Sequence, residues 1–362
     1  MAEELFTPFE LGSLTLKNRV VMAPMTRCRA IGGVPNELMA EYYGQRAGGG
    51  LLITEGTAPS ANGSGYARIP GLYLSDQVEG WKLVTRAVHE AGGLIFAQLM
   101  HVGRVGHPDN LPDGAELVAP SAIAAAGDQH TDTQGPQPRP TPREMTAQDV
   151  EDAIDEFVTA AQNARAAGFD GVELHGANGY LIDQFLNPGT NQRTDHWGGS
   201  VEKRGRFAVE VARRVAKAIG AARVGIRLSP NGAFNDVASY DGWEDAFTSY
   251  AAELGKLKLA YLHIVDHSSM GAPPVGDEVK ARMQQAFGGP IILSGGYDRD
   301  RADEALGKGQ GDLVAFGRPF LANPDLVERL AQRAELNDPD PSTFYTPDAK
   351  GYVDYPALAG GS

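Results

Sequence analysis

Gly171-Val-Glu-Leu-His-Gly-Ala-Asn-Gly-Tyr180 opens as a short apolar run and closes as a cluster of chemistry-bearing side chains. The run reads as a buried strand. His175, Asn178 and Tyr180 leave its carboxyl end together, ahead of Leu181–Leu186, which reads as irregular or helical chain. Two residues three apart in one helix-like turn point the same way, so an imidazole N–H and an amide N–H can converge on one acceptor oxygen with a phenol beside them. The competing reading is structural: a turn in which Asn178 caps the chain and His175 is a satisfied core histidine. What decides between the two is whether the fold collects other strand ends around this one.

Seven further apolar runs share the design. Residues 19–26 form a strand closed by Pro24, and the others are 51–54, 94–100, 224–229, 261–265, 290–294 and 313–316. Helix-patterned stretches fill the spaces between and after them: 36–47 stopped by Gly48-Gly49-Gly50, 77–91 ending at Gly92-Gly93, 202–219, 243–258, 277–287, 299–307 and 324–334. Another runs from Thr146 to Ala167, its start marked by Asp149 three residues beyond Thr146, a capping-box spacing. Eight continuous apolar strands, each followed by a helix, are what a parallel sheet buried on both faces requires, and closing it gives a (β/α)₈ TIM barrel. A doubly wound open sheet is the alternative, but its Gly-x-Gly-x-x-Gly fingerprint is missing at Pro24–Arg29 after the first strand.

Residues 1–362 read as one such domain. Between His101 and about Pro142 the rhythm fails and Pro, Gly, Asp, Thr and Gln dominate, which predicts a lid inserted after strand three; a disordered linker is the alternative. The 42% hydrophobic fraction suits a sizeable core, and the formal net charge of −14 argues against nucleic acid or an anionic membrane as partner. Cys28 is the single cysteine, so no internal disulfide and no thiolate metal or iron–sulfur cage is expected, and no metal site is assigned. An acidic amino terminus without a basic-then-apolar leader, and no run of 18 apolar residues, lead to the expectation of a cytoplasmic protein.

In a barrel the carboxyl ends of all strands share one face. There the chain collects Pro24, Met25 and Thr26 from strand one and Glu55–Ala58 from strand two. Strands three, four and five add Gln98 and His101, His175 and Asn178, and Arg227. The last two strands end in Ser294-Gly295-Gly296 and Gly317-Arg318, where glycine amides and a cation suit a phosphate, although either glycine pair alone reads as plain turn chemistry. With Gln98 able to donate to and accept from a pyrimidine edge, and Arg227 able to stabilise negative charge on a reduced ring, flavin mononucleotide (FMN) fits. Arg227 could otherwise pair with a carboxylate between strands.

These residues resemble the old yellow enzyme family of FMN-dependent ene-reductases, and most of all its bacterial pentaerythritol tetranitrate and N-ethylmaleimide reductase branch. The resemblance spans nearly the whole chain. It rests on Leu11–Val20, Met22-Ala-Pro-Met-Thr-Arg27, Ala97-Gln-Leu-Met-His101, Glu173–Leu181, Asn187–Asp195 with Gly198-Gly-Ser200, and Phe316-Gly-Arg-Pro-Phe-Leu-Ala-Asn-Pro-Asp325. It implies that Pro24, Met25, Thr26, Ala58, Gln98, Arg227, Gly295, Gly296, Gly317 and Arg318 hold FMN, with Thr26 tuning its potential. It further implies that NADPH or NADH and then an electrophilic alkene or nitro compound use one cavity in turn. His175 and Asn178 would polarise the substrate oxygen, Tyr180 would supply the proton, and Tyr66, Met100, Asn235 and Tyr345 would line the substrate pocket.

Several residues depart from the branch. Met100 replaces a Trp, which implies a roomier cavity; Asn235 replaces a longer Gln; Trp197 and Lys203 replace a Tyr and an Asn with a structural look. Cys28 reads as a packing residue. Dienoyl-CoA reductases share the barrel but need a cysteine-ligated cluster that one cysteine cannot supply. The rival from another class is a non-catalytic flavin-binding redox sensor, which would not need His175, Asn178 and Tyr180 together. A monomer or a homodimer is expected.

Overall fold

Alternation along the eight apolar runs builds the barrel. In a computed structural model, which describes residues 3–358, Val21, Leu51, Ile53, Phe96, Tyr261, Ile292, Leu313 and Ala315 belong to one interior cluster, whereas neighbours such as Val20, Leu52 and Ile95 pack in the larger cluster that includes the helices. Strand side chains alternate, so burial on both sides demands apolar residues at every position.

Numbering the barrel strands alone, β1 is Val20–Met22, β2 Leu51–Ile53, β3 Ile95–Leu99, β4 Gly171–Gly176, β5 Val224–Leu228, β6 Tyr261–Val265, β7 Ile291–Ser294 and β8 Leu313–Phe316. All neighbours are parallel, and the barrel closes by β8 pairing with β1 and β3 with β4. The ten α-helices are α1 Glu37–Gln45, α2 Ser75–Glu90, α3 Ala147–Ala166, α4 Leu181–Leu186, α5 Val201–Ile219, α6 Trp243–Gly255, α7 Asp277–Phe287, α8 Arg299–Gly307, α9 Arg318–Ala322 and α10 Leu326–Gln332, counted among the described residues. The closed sheet settles the architecture as the TIM barrel and against the open sheet. The Thr146 capping box forms as its spacing predicts: the Thr146 hydroxyl accepts from Asp149 N–H at 3.1 Å and the Asp149 carboxylate accepts from Thr146 N–H at 2.7 Å.

Inside the barrel, two glycines make room for two rings. A Cβ on Gly171 would stand 2.5 Å from the Phe96 ring, and one on Gly225 would stand 2.2 Å from the ring of Tyr261. The two rings stack at 5.9 Å. Below them the floor is closed by an antiparallel hairpin, Phe9–Leu11 with Leu14–Leu16, whose Leu11 and Leu16 join the interior cluster. Sequence reading did not anticipate that hairpin, nor α9.

The segment after β3 carries regular pairing of its own. Val118–Ala119 pairs with Arg143–Glu144, and Asp128–Thr131 with Gly135–Pro138 forms an antiparallel hairpin.

Candidate active site

Above the aromatic layer the inward positions turn polar. Two residues along from Phe96, Gly171 and Tyr261 come Gln98, Glu173 and His263; two beyond Glu173 and Gly225 respectively come His175 and Arg227. All five are buried. Glu173, fully buried, accepts from Gln98 Nε2 at 2.8 Å and from His263 Nδ1 at 2.8 Å. Burial opposes its charge, but His263, Arg227 and the Gln98 amide together hold its pKa below the ordinary value, while burial keeps His263 neutral. Glu173 is therefore the carboxylate counter-ion in the barrel. Gln98 spends one of its two amide N–H donors on Glu173, which leaves the other N–H and the side-chain oxygen for a ligand.

Arg227, paired in register with His175 on β4 and His263 on β6, carries its guanidinium into the cavity wall. Its Nε is buried without a hydrogen-bond partner. Glu173 contributes charge but no hydrogen bond to it, so the alternative of a simple inter-strand ion pair does not account for Arg227.

The turn after β4 differs from the helix-like turn that the sequence reading invoked. Asn178 and Gly179 both adopt left-handed backbone, with φ of 60° and 76°, and Tyr180 N–H closes the turn on Ala177 O at 3.3 Å. Asn tolerates this conformation better than most residues because its short polar side chain bonds locally. His175 and Asn178 nonetheless face one cavity, because the reversal of the chain brings Asn178 back over the barrel mouth. His175 Nδ1 accepts from Ala177 N–H at 3.4 Å, which leaves Nε2 to carry the proton. Burial first, then the charges of Arg227, His263 and His267, push its pKa well below the ordinary value, so it is a neutral donor. The Tyr180 ring packs edge-on against His175 at 4.8 Å, its hydroxyl lies 3.1 Å from that of Tyr66, and burial raises its pKa.

The cavity over this layer has a volume of about 880 Å³. Of the residues singled out from sequence, Pro24, Thr26, Gln98, Arg227, His175, Asn178, Tyr180, Tyr66, Met100, Asn235 and Tyr345 line it. Met25, Ala58, Gly295, Gly296, Gly317 and Arg318 do not. Ala58 is buried against Gly71, and Met25 packs on the core beside Gly317. Gly295 and Gly296 follow β7 and press on Asp266 and Ser269, where a Cβ would come within 2.8 and 2.6 Å. Exposed Arg318 opens α9 at the end of β8, and its charge reaches the phenol of Tyr345 in the cavity wall. Gly295-Gly296 and Gly317-Arg318 thus sit on adjacent strand ends, beside the cavity and outside its wall.

Sequence reasoning placed a lid after strand three but named none of the residues it contributes. Asp128, Gln129, His130, Asp132 and Arg139 of the inserted hairpin region line the cavity, as does Cys28. Cys28 is buried, as a packing residue would be, yet it fronts the cavity; burial pushes its thiol up to about 12, which makes it a poor nucleophile. His267 was missed as well: its Nε2 lies 2.9 Å from Asn178 Oδ1.

The donor set fits a flavin. An unpartnered buried guanidinium, a free amide oxygen and half-buried Pro24 and Thr26 surround a space sized for a ring system, and ligand sites of this kind are pre-formed clefts with few polar groups. Among the described residues no group of three or more His, Cys, Asp or Glu side chains could hold a metal ion, and no helix is long and apolar enough to cross a membrane.

Comparison with known proteins bears on the same site. The family model described as "NADH:flavin oxidoreductase / NADH oxidase family" matches residues 4–337. A probable flavin mononucleotide-dependent alkene reductase of Leishmania infantum is 43% identical, covering 98% of this chain and 97% of its own. A structure of morphinone reductase in complex with tetrahydroNAD superposes with a TM-score of 0.93 at 46% identity over 98% of both chains. The old yellow enzyme homologue from Zymomonas mobilis does so with a TM-score of 0.94 at 41% identity, over 98% of this chain and 100% of that one.

Proposed function

The chain belongs to the NADH:flavin oxidoreductase / NADH oxidase family, the old yellow enzyme family, and from that premise we propose that it reduces activated alkenes. It is an FMN-dependent oxidoreductase; the finer reading is that NADH or NADPH supplies the hydride and an α,β-unsaturated carbonyl, maleimide, nitroalkene or other nitro compound takes it. The observation that carries this reading is the combination, in one cavity, of neutral His175, the Asn178 amide and the protonated phenol of Tyr180.

Pro24, Thr26, Gln98 and Arg227 in the cavity wall, with Met25, Ala58, Gly295, Gly296, Gly317 and Arg318 around it, would hold FMN. When bound, the flavin relays a hydride from the nicotinamide coenzyme to the alkene. Arg227 sets a fixed positive charge at the cavity base and Gln98 offers an acceptor oxygen beside it. His175 Nε2 and the Asn178 amide donate to the carbonyl or nitro oxygen of the substrate. Those bonds strengthen as negative charge grows on that oxygen, so they stabilise the transition state more than the bound substrate. Being neutral, His175 donates without losing its proton. Tyr180 keeps its proton at neutral pH, because burial raises a phenol already near 10, and gives it only to a carbanion-like carbon. Tyr66, Met100, Asn235 and Tyr345 bound the space left for substrate.

The test is to mix the flavin-loaded protein anaerobically with NADH or NADPH, follow bleaching, and then add 2-cyclohexenone. Cyclohexanone should form with return of the yellow colour. Bleaching without cyclohexanone formation would favour a redox sensor over an alkene reductase.

A further inference from the structure

We propose that His267 is a positioning residue: it grips the Asn178 carboxamide by its oxygen and so turns the amide nitrogen into the cavity. The functional weight of this rests on the alkene-reductase reading above; the geometry does not.

A carboxamide has two faces. Rotation by half a turn about its last side-chain bond replaces a donor by an acceptor, and nothing within the side chain decides which faces a substrate. An acceptor aimed at a carbonyl oxygen would repel the charge that develops there, so a site built on Asn178 needs something to choose its rotamer. The surroundings supply it. Asn178 N–H donates to Ser229 Oγ at 2.9 Å, Asn178 O accepts from Asn235 Nδ2 at 2.8 Å, and Asn178 Oδ1 lies 2.9 Å from His267 Nε2. Three of the four polar groups of the residue are thereby engaged. Nδ2 remains, on a side chain in the cavity wall.

The direction of the His267 bond follows from the other ring nitrogen. His267 Nδ1 is buried with no partner. If it carried the proton, a buried N–H would be orphaned, which native structures avoid more strictly than an unused acceptor. The proton therefore sits on Nε2, where Asn178 Oδ1 accepts it. Burial, and then the charge of Arg227, lower the pKa of His267 to about 4, so the ring is neutral under ordinary conditions.

His267 is itself held. It opens the single turn His267–Met270 after β6, capped by Asp266, which accepts from Ser268 N–H at 2.9 Å and is fixed by Lys280 at 2.8 Å. The ring of Phe234 covers it at 5.9 Å.

Two measurements on the flavin-loaded protein test this. Long-range proton–nitrogen correlation spectra of protein labelled with 15N-histidine, assigned by the signal lost in His267→Gln, should show the Nε2–H tautomer. The Nδ1–H tautomer would overturn the proposal, since Asn178 would then have to offer its amide nitrogen to His267. In anaerobic reoxidation by 2-cyclohexenone, His267→Leu should raise the half-saturating concentration and slow the limiting rate, together by about 10-fold. That is less than the 10²–10³ expected when such a donor is deleted, because Asn178 is released rather than removed. His267→Gln keeps an N–H at similar reach and should recover most of the loss. A Leu variant equal to the native protein, or a Gln variant as impaired as Leu, overturns the proposal. If the native protein itself left 2-cyclohexenone untouched, the functional reading would fail while the tautomer still decided the positioning role.

Discussion

Tyr180→Phe separates proton supply from everything else the cavity does. The substitution removes one oxygen and leaves the ring, so the edge-on packing against His175 at 4.8 Å and the shape of the wall are retained. It also removes the partner of the Tyr66 hydroxyl at 3.1 Å, a neutral bond whose loss costs about 1 kcal/mol of stability, so the variant should fold and bind flavin normally. A positioned general acid supplies roughly 10²–10⁴ in rate. We take the lower end, about 100-fold, because the Tyr66 phenol and solvent at the cavity mouth can deliver a proton less well placed; that is about 2.7 kcal/mol of barrier. The assay is anaerobic stopped-flow in two stages. Bleaching by NADH or NADPH needs no proton from Tyr180 and should stay within about twofold of native, while recolouring by 2-cyclohexenone slows about 100-fold. Equal slowing of both stages, or of neither, refutes the proton-donor role.

Three further expectations draw on other parts of the molecule. Arg318→Ala, at an exposed residue opening α9, should leave folding intact but yield protein largely free of flavin; full FMN occupancy on purification would remove Arg318 from the phosphate site. Gly225→Ala places a methyl 2.2 Å from the Tyr261 ring inside a filled layer and should destabilise by about 1–3 kcal/mol in thermal denaturation, with an unchanged melting temperature counting against the packing described. Glu55 is fully buried at the end of β2, and burial, only partly offset by Arg27 N–H and the Arg27 and Arg29 charges, raises its pKa to about 7. A carboxyl raised in the folded state stabilises at low pH and loses that contribution as pH rises from the unfolded value near 4.5 through 7, an effect on the order of 3 kcal/mol. The melting temperature of Glu55→Gln should therefore fall less than that of the native protein between pH 5 and 8; parallel curves would show that Glu55 ionises freely.

What could be read from the sequence follows from what is local. Each barrel strand announces itself as an apolar run because both faces are buried, and Thr146 with Asp149 marks the start of α3 by spacing alone. The period of two also placed Glu173 and His175 on one face of β4, a signal that would have identified Glu173 as the inward carboxylate had it been followed down the strand. Other misses had signals too. Phe9-Glu-Leu-Gly-Ser-Leu-Thr-Leu16 alternates about a two-residue turn with Gly12 at φ 62°, the mark of a hairpin. Asn178-Gly179 is a dipeptide that favours left-handed backbone over a helix-like turn. The inserted hairpin had none: Asp128–Thr131 and Gly135–Pro138 are polar and proline-bearing, and pairing there does not rest on an apolar stripe. Nor could the sequence reveal His267, whose bond to Asn178 spans 89 residues and exists only because β4 and β6 open on the same mouth.

The account stands on two N–H donors meeting one substrate oxygen. A crystal structure of the flavin-loaded protein with 2-cyclohexenone or its saturated product bound tests that most directly. The carbonyl oxygen should lie within about 3 Å of both His175 Nε2 and Asn178 Nδ2, with the Tyr180 hydroxyl beside the α-carbon. A carbonyl held elsewhere in the cavity, or contacting neither donor, would contradict it.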